Sequence, residues 1–302
     1  MTTTTPLKPA STRLRELLAQ DEILVLPGVY DGISARIALS EGFDALYMTG
    51  AGTSASVLGQ PDLGIVTLND MVGNAGMIAG LNPAVPVIAD ADTGFGGAAM
   101  CARTTTLYAR AGVAGFHIED QVQQKRCGHL GSKQLVTLDE YLIRIRAAAN
   151  ARAALGSDIV IITRSDAAAP VGLSEAFARC KAALAAGADV AFVEGLRTRA
   201  EAEEAVRVLA PAPVLLNLAT NGLTPNWTVQ EAKEMGFKLV IFPNAGMIPA
   251  ALAMRASYQE LRAQGTDAKS CAGMGPRGLF EMVGLNEVMA IDAAAGGNFT
   301  ID

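Results

Sequence analysis

Tyr108-Ala-Arg-Ala-Gly-Val-Ala-Gly-Phe-His-Ile-Glu119 contains in short form the pattern from which the fold is read. A helical, Ala-rich end stops at Gly112, and an apolar run starts at Gly115. Glycine just past a helix adopts the left-handed cap conformation at little cost, so the stretch reads helix, stop, strand. The same sentence recurs. Ala38-Leu-Ser-Glu-Gly42 precedes Ala45-Leu-Tyr-Met, Ala183-Leu-Ala-Ala-Gly187 precedes Val190-Ala-Phe-Val, and Ala232-Lys-Glu-Met-Gly236 precedes Leu239-Val-Ile-Phe.

Apolar runs without alternation suit strands buried on both faces. Eight candidates stand at 23–27, 45–49, 85–91, 115–119, 159–164, 190–194, 213–217 and 238–242, with helical segments between most of them. Thr137, with Glu140 three residues on, predicts a capping box opening a helix whose apolar face holds Leu138, Leu142 and Ile145. Eight βα units in 302 residues predict an α/β fold of the (β/α)8 TIM-type barrel class. A doubly wound sheet is the alternative, but no strand–GxGxxG–helix unit favours it. No Pro/Ser-rich linker divides the chain. The expectation is therefore a flexible arm over 1–15 and a single barrel domain over 16–302, with a helical C-terminal extension from about residue 266.

Half the residues are hydrophobic and 18% charged, which excludes disorder for the bulk of the chain. A formal net charge of -6 and the lack of a Lys/Arg run argue against nucleic-acid binding. No apolar run reaches the ~20 residues of a membrane span. Cys101, Cys127, Cys180 and Cys271 are scattered with no CxxC pair, which suits reduced thiols and a cytoplasmic setting. Lys8 and Arg13 precede any acid, so a mitochondrial presequence stays open.

In a barrel of this class the chemistry lies at the C-terminal strand ends. The second strand ends Tyr47-Met48-Thr49, followed by Gly50-Ala51-Gly52. The third ends at Asp90 and Asp92, the fourth at Glu119-Asp120, the fifth at Arg164-Ser165-Asp166, the sixth at Glu194 and the seventh at Asn217. Asp90 and Asp92 are two apart, so strand alternation predicts that they face the same way. Two such carboxylates repel unless a cation or shared proton intervenes. With Glu119 added, a hard divalent ion on oxygen ligands is the expectation, Mg2+ or Mn2+ as a substitute. Exposed N–H groups in the Gly50-Ala51-Gly52 turn can hold a carboxylate.

Cys127 sits between Arg126 and Gly128-His129, a cationic setting that favours thiolate and proton exchange. Zinc ligation by Cys127 and His129 and a papain-like Cys–His pair are the other readings, each lacking a second partner motif. General acid/base work beside the metal and the acids fits best.

Lys125-Arg126-Cys127-Gly128-His129, preceded by Gly115-Phe-His-Ile-Glu-Asp-Gln, resembles the signature of the isocitrate lyase/phosphoenolpyruvate mutase superfamily, in its lyase branch. Tyr47-Met-Thr-Gly-Ala-Gly, Leu58-Gly-Gln-Pro-Asp-Leu-Gly, Ala89-Asp-Ala-Asp-Thr-Gly-Phe-Gly and Thr163-Arg-Ser-Asp extend the resemblance over roughly residues 20–260. The resemblance implies a barrel whose last helix is exchanged between subunits, in a homotetramer built as a dimer of dimers. It implies Mg2+ held directly or through water by Asp90, Asp92, Glu119 and Asp62. The substrate's carboxylate is implied on the Thr49, Gly50 and Ala51 backbone and on Arg164, with Glu194, Asn217 and Gly128 lining the pocket. Cys127 is implied as the general acid on a closing loop, with His129 beside it; Tyr47 or a metal-bound water is the candidate base.

Departures from the pattern predict the substrate. Tricarboxylate lyases of this superfamily place Arg after the loop His and Thr-Glu-Phe-Gly after the seventh strand. Here the residues are Leu130 and Asn217-Leu-Ala-Thr-Asn-Gly222. Losing a cation where a carboxylate binds is costly, which disfavours isocitrate and 2-methylisocitrate. Hydrolysis of oxaloacetate is implied to need a Ser near the end of the eighth strand, where this chain has Phe242-Pro243-Asn244. The expectation is therefore cleavage of a small-molecule dicarboxylate, 2,3-dimethylmalate, to pyruvate and propionate. Oxaloacetate hydrolysis and 2-methylisocitrate cleavage are the alternatives.

Overall fold

In the computed structural model, which describes residues 7–128 and 130–299, eight parallel strands close into one barrel in sequence order. The chain opens with α1 (Ala10–Leu18), β1 (Leu24–Val29), α2 (Gly32–Ser40), β2 (Leu46–Met48), α3 (Gly50–Thr53) and a π-turn at Ser54–Leu58. It continues with α4 (Leu68–Leu81), β3 (Val87–Asp90), α5 (Ala98–Arg110), β4 (Gly115–Glu119), α6 (Leu138–Ala154) and β5 (Val160–Ser165). Then come α7 (Leu173–Ala185), β6 (Val190–Val193), α8 (Arg199–Leu209), β7 (Val214–Asn217), α9 (Val229–Glu234) and β8 (Leu239–Phe242). The chain ends with α10 (Met247–Gln264), α11 (Pro276–Met282) and α12 (Leu285–Ala294). All eight expected strands are present, and those from β2 to β7 are buried at every position. The four glycines read as helix stops, Gly42, Gly112, Gly187 and Gly236, all have positive φ.

Two expectations are corrected. The arm expected over 1–15 is helical from Ala10, and Leu14 and Leu17 of α1 pack against Leu24, Leu26 and Ile162, so α1 plugs one mouth of the barrel. Its apolar residues are spaced three apart, which suits a helix burying one stripe. The capping box on α6 is half formed. Thr137 accepts from Glu140 N–H at 3.2 Å, but the Glu140 carboxylate pairs with Arg144 at 2.8 Å. The buried stripe of that helix is Tyr141, Arg144, Ile145 and Ala148, with Leu138 and Leu142 only half-buried.

The C-terminal extension is helical as expected, but it begins earlier in effect. None of α10, α11 or α12 buries a residue, and α10 exposes Ile248, Leu252, Met254, Tyr258 and Leu261. The helix following β8 thus does not shield the barrel that it belongs to. Among the described residues, no helix is long and apolar enough to cross a membrane.

Candidate active site

A cavity of about 240 Å³ opens at the C-terminal strand ends. Tyr47, Thr49, Ala51, Asp62, Asp90, Cys127, Gly128, Arg164, Glu194 and Asn217 line it, all of them site candidates from the sequence. Gly50 adjoins it: a Cβ there would overlap the Asp90 carboxylate, so only glycine lets the first turn of α3 approach that acid. Asp92 and Glu119 are buried behind this wall, against Lys125 and Arg164 respectively. His129 lies outside the described residues. Ala219 to Gly222, Pro243 and Asn244 form the far wall.

Asp90 ends β3, but Asp92 does not reach the site by strand alternation. Its φ is +46°, and its N–H donates to Asp90 Oδ1 at 2.8 Å. Aspartate tolerates the left-handed region better than most residues, so the pair is set by a turn rather than by the pleat.

The acids are poorly satisfied for groups so deeply buried. Among the described residues neither Glu119 oxygen has a hydrogen-bond partner, and Arg164 Nε stands 3.4 Å from Oε2. Burial pushes Glu119 well above the usual carboxylate range. Burial also raises Asp90 and takes Asp92 up to about 7, with Lys125 opposing the shift in both. Lys125 Nζ lies 2.5 Å from Asp62 Oδ1 and 2.7 Å from Asp92 Oδ1. Burial alone would lower Lys125, but Asp92, Glu119 and Asp62 outweigh it and hold the ammonium charged. Among the described residues no three ligating side chains converge to grip one ion. A carboxyl such as Glu119, without a hydrogen bond at this depth and with only a long ion pair to Arg164, nonetheless fits a hard cation that keeps several waters.

Arg164 is the cation of the pocket wall. Its guanidinium lies 5.1 Å over the Phe192 ring, donates to Asp166 from Nε and Nη2 at 3.0 and 3.3 Å, and pairs with Glu194 at 3.3 Å. Glu194 in turn accepts from Asn217 Nδ2 at 3.0 Å. Such a fixed guanidinium suits a planar carboxylate. Tyr47 Oη and His117 Nε2 share a hydrogen bond of 3.0 Å. Burial, then Asp90, raises the phenol well above its ordinary value, while burial, Arg164 and Lys125 keep the imidazole neutral. Tyr47 is therefore a protonated, hydrogen-bonding group on the pocket wall.

Cys127 is half-buried and in no disulfide. Its N–H donates to the Asp62 carbonyl at 3.2 Å, and its carbonyl accepts from Leu130 N–H at 2.8 Å, so the loop lies closed across the cavity mouth. Gln121 clamps the Arg126 backbone in both directions at 2.9 and 3.0 Å. Leu130 is half exposed and lines no part of the cavity. Lys125 and Lys133 carry no role in the sequence pattern beyond being two lysines that flank the Cys within one polar loop.

A family model described as phosphoenolpyruvate phosphomutase matches residues 14–262. The chain belongs to the phosphoenolpyruvate mutase/isocitrate lyase superfamily. It is 37% identical over 283 residues to 2,3-dimethylmalate lyase of Eubacterium barkeri, covering 93% of this chain and 96% of that one. It is 40% identical to 2-methylisocitrate lyase of Aeropyrum pernix over 86% of this chain and 82% of that one. Among solved structures, a 2,3-dimethylmalate lyase superposes with TM-score 0.94 and 54% identity, covering 98% of this chain and all of that one. An oxaloacetate acetylhydrolase in complex with 3,3-difluorooxalacetate gives TM-score 0.94 and 51% identity over 97% of this chain and 99% of that one. This member of the superfamily is a carbon–carbon lyase.

Proposed function

We propose that this lyase cleaves the C2–C3 bond of 2,3-dimethylmalate, yielding pyruvate and propionate, with Mg2+ as its cation. The observation that carries the choice of substrate is Pro243, which lines the far wall of the cavity. A hydrolase acting on oxaloacetate must hold a hydrated ketone, whose two hydroxyls need polar partners. Proline offers neither a side-chain donor nor an N–H. The same wall, Ala219 to Gly222 and Asn244, brings no cation for a third carboxylate, which argues against 2-methylisocitrate. Leu130 lies outside the cavity and does not select the substrate.

Asp90, Asp92, Glu119 and Asp62 are the residues to hold the cation, in part through water. When bound, such an ion stabilises negative charge developing on the substrate's C2 oxygen and carboxylate. The first turn of α3 and Arg164 orient the carboxylate next to C2, and Tyr47, fixed by His117, orients the C2 oxygen. Tyr47, held protonated, is not the base; the 2-hydroxyl proton goes to water, and the cation, when bound, would ease its loss. The C2–C3 electron pair passes to C3, and Cys127 delivers a proton to that carbon. The closed loop keeps bulk water from competing with this transfer. The apolar face of α10, left uncovered on its own barrel, suits helix exchange with a second copy and assembly into a tetramer.

Oxaloacetate hydrolysis is the second reading, favoured by the 51% identity to an oxaloacetate acetylhydrolase over nearly the whole chain. Incubation with Mg2+ and, separately, 2,3-dimethylmalate, 2-methylmalate, 2-methylisocitrate and oxaloacetate, with products identified by NMR, decides between them. The highest kcat/KM is expected with 2,3-dimethylmalate. Oxalate from oxaloacetate at the highest efficiency would sink the lyase assignment.

A further inference from the structure

The loop from Val122 to Gln134 leaves and rejoins the barrel rim through one neck. Gln121 and Leu135 form an antiparallel bridge, and Val122 N–H donates to the Gln134 carbonyl at 2.9 Å. A loop tied only at its neck leaves its tip undetermined, and Cys127 is near the tip. Lys125 fastens one side, to Asp62 and Asp92. Lys133 fastens the other. Its Nζ donates to the Gly128 carbonyl at 2.6 Å and to Asp166 Oδ1 at 2.9 Å, and its side chain is only 2% exposed.

A buried ammonium is costly unless fully partnered, so these two partners define its place. One belongs to the residue after Cys127 and the other to a barrel strand end. Asp166 also accepts both hydrogen bonds from Arg164, and its own N–H is held by Asp120 Oδ1 at 2.9 Å. One carboxylate therefore carries the pocket's guanidinium on one side and the loop on the other. Gly128 completes the fit, because a Cβ there would overlap Arg164 Nη2 and Glu194.

We propose that Lys133 is a positioning residue for Cys127, bridging the Gly128 carbonyl to Asp166 and so setting the thiol over the pocket in register with Arg164. Lys133 lines no part of the cavity and touches no reacting atom. The inference rests on the cavity being the active site. Proton transfer falls steeply when its partners are displaced, so loss of the bridge acts on turnover and on loop closure, while carboxylate recognition by Arg164 persists.

The test uses the full chain with Mg2+ and reads the rate at which iodoacetamide alkylates Cys127, followed by peptide mass, with and without oxalate as a small dicarboxylate probe. In the unaltered protein oxalate slows alkylation by filling the cavity beneath the closed loop and holding it shut. Lys133→Met is expected to lose that protection by about tenfold or more, with kcat lowered by about 10- to 100-fold and KM within about threefold. Oxalate affinity by calorimetry is expected to stay within about threefold, since Arg164 is intact. Lys133→Arg, which keeps a cation for Asp166, retains most of the protection. Lys133→Gln is expected between the two and serves if the methionine variant does not fold. Protection unchanged in Met or Gln, or lost equally in Arg and Met, overturns the role of Lys133. Failure of oxalate to bind the unaltered protein instead overturns the reading of the cavity.

Discussion

The two ends of the barrel treat their charges in opposite ways. At the end closed by α1, Asp189 pairs with Arg15 at 3.1 Å and with Arg152, and accepts from Ile161 N–H at 2.8 Å. Asp158 accepts from Ser11 and Thr12, and these bonds, against the opposing effect of burial, hold its carboxyl below the usual range. At the other end, Glu119 has no hydrogen-bond partner among the described residues, and burial takes Asp92 up to about 7. One fold builds both. A sequence able to satisfy Asp189 so fully leaves Glu119 with only a 3.4 Å ion pair to Arg164, the condition expected of an acid that meets a group outside the chain.

The largest expected effect falls on the loop over the working end. Cys127→Ser should lose about 10²- to 10⁴-fold in kcat, the range for removing a general acid, while Mg2+ and oxalate still bind by calorimetry. Near-normal turnover would remove Cys127 as the acid. Next comes the acid cluster. Asp92→Asn should weaken Mg2+ affinity about tenfold or more, yet leave the metal-free protein no less stable to urea. Lys125 keeps Asp62, and a buried charge is gone. A marked loss of metal-free stability would show Asp92 to be structural like Asp189.

At the other end, Asp189→Ala should cost about 1–3 kcal/mol of stability, having freed two arginines and a backbone N–H, with kcat per folded molecule unchanged. A catalytic defect there would break the division of labour. The smallest effect expected is on pH. A carboxyl raised to about 7 by burial favours folding while protonated, and that contribution is lost as pH climbs from about 4 through 7. Mg2+ binds the ionised form, so the melting-temperature gain on adding Mg2+ should be larger at pH 8 than at pH 5.5, by a few degrees. An equal gain at both pH values would mean that Asp92 is already charged at pH 5.5.

Much of this was legible in the sequence, for identifiable reasons. The glycine stops and unalternating strands depend on local conformation and on burial from both faces, and both leave marks within ten residues. Strand-end positions followed from the fold, which is why Asp90, Arg164, Glu194 and Asn217 converge as expected. The contribution of α1 was hidden because its N-terminal stretch reads as Thr- and Pro-rich, while its three-residue stripe is short. Asp92 was read by strand alternation, but a turn with positive φ leaves no alternation to read, and that turn sets it behind the pocket wall. Lys125 and Lys133 were invisible as partners because pairing across a closed loop depends on tertiary contacts that spacing does not encode. Leu130 was over-read, since a missing cation matters only if the position faces the substrate.

The central claim is that this pocket breaks C2–C3 of a dicarboxylate and protonates the released carbon from inside a closed loop. It is tested most directly by following 2,3-dimethylmalate with Mg2+ in D2O by ¹H NMR. The account predicts pyruvate and propionate in equal amounts, with a single deuterium at C2 of propionate. No pyruvate from 2,3-dimethylmalate, alongside oxalate and acetate from oxaloacetate under the same conditions, would contradict it.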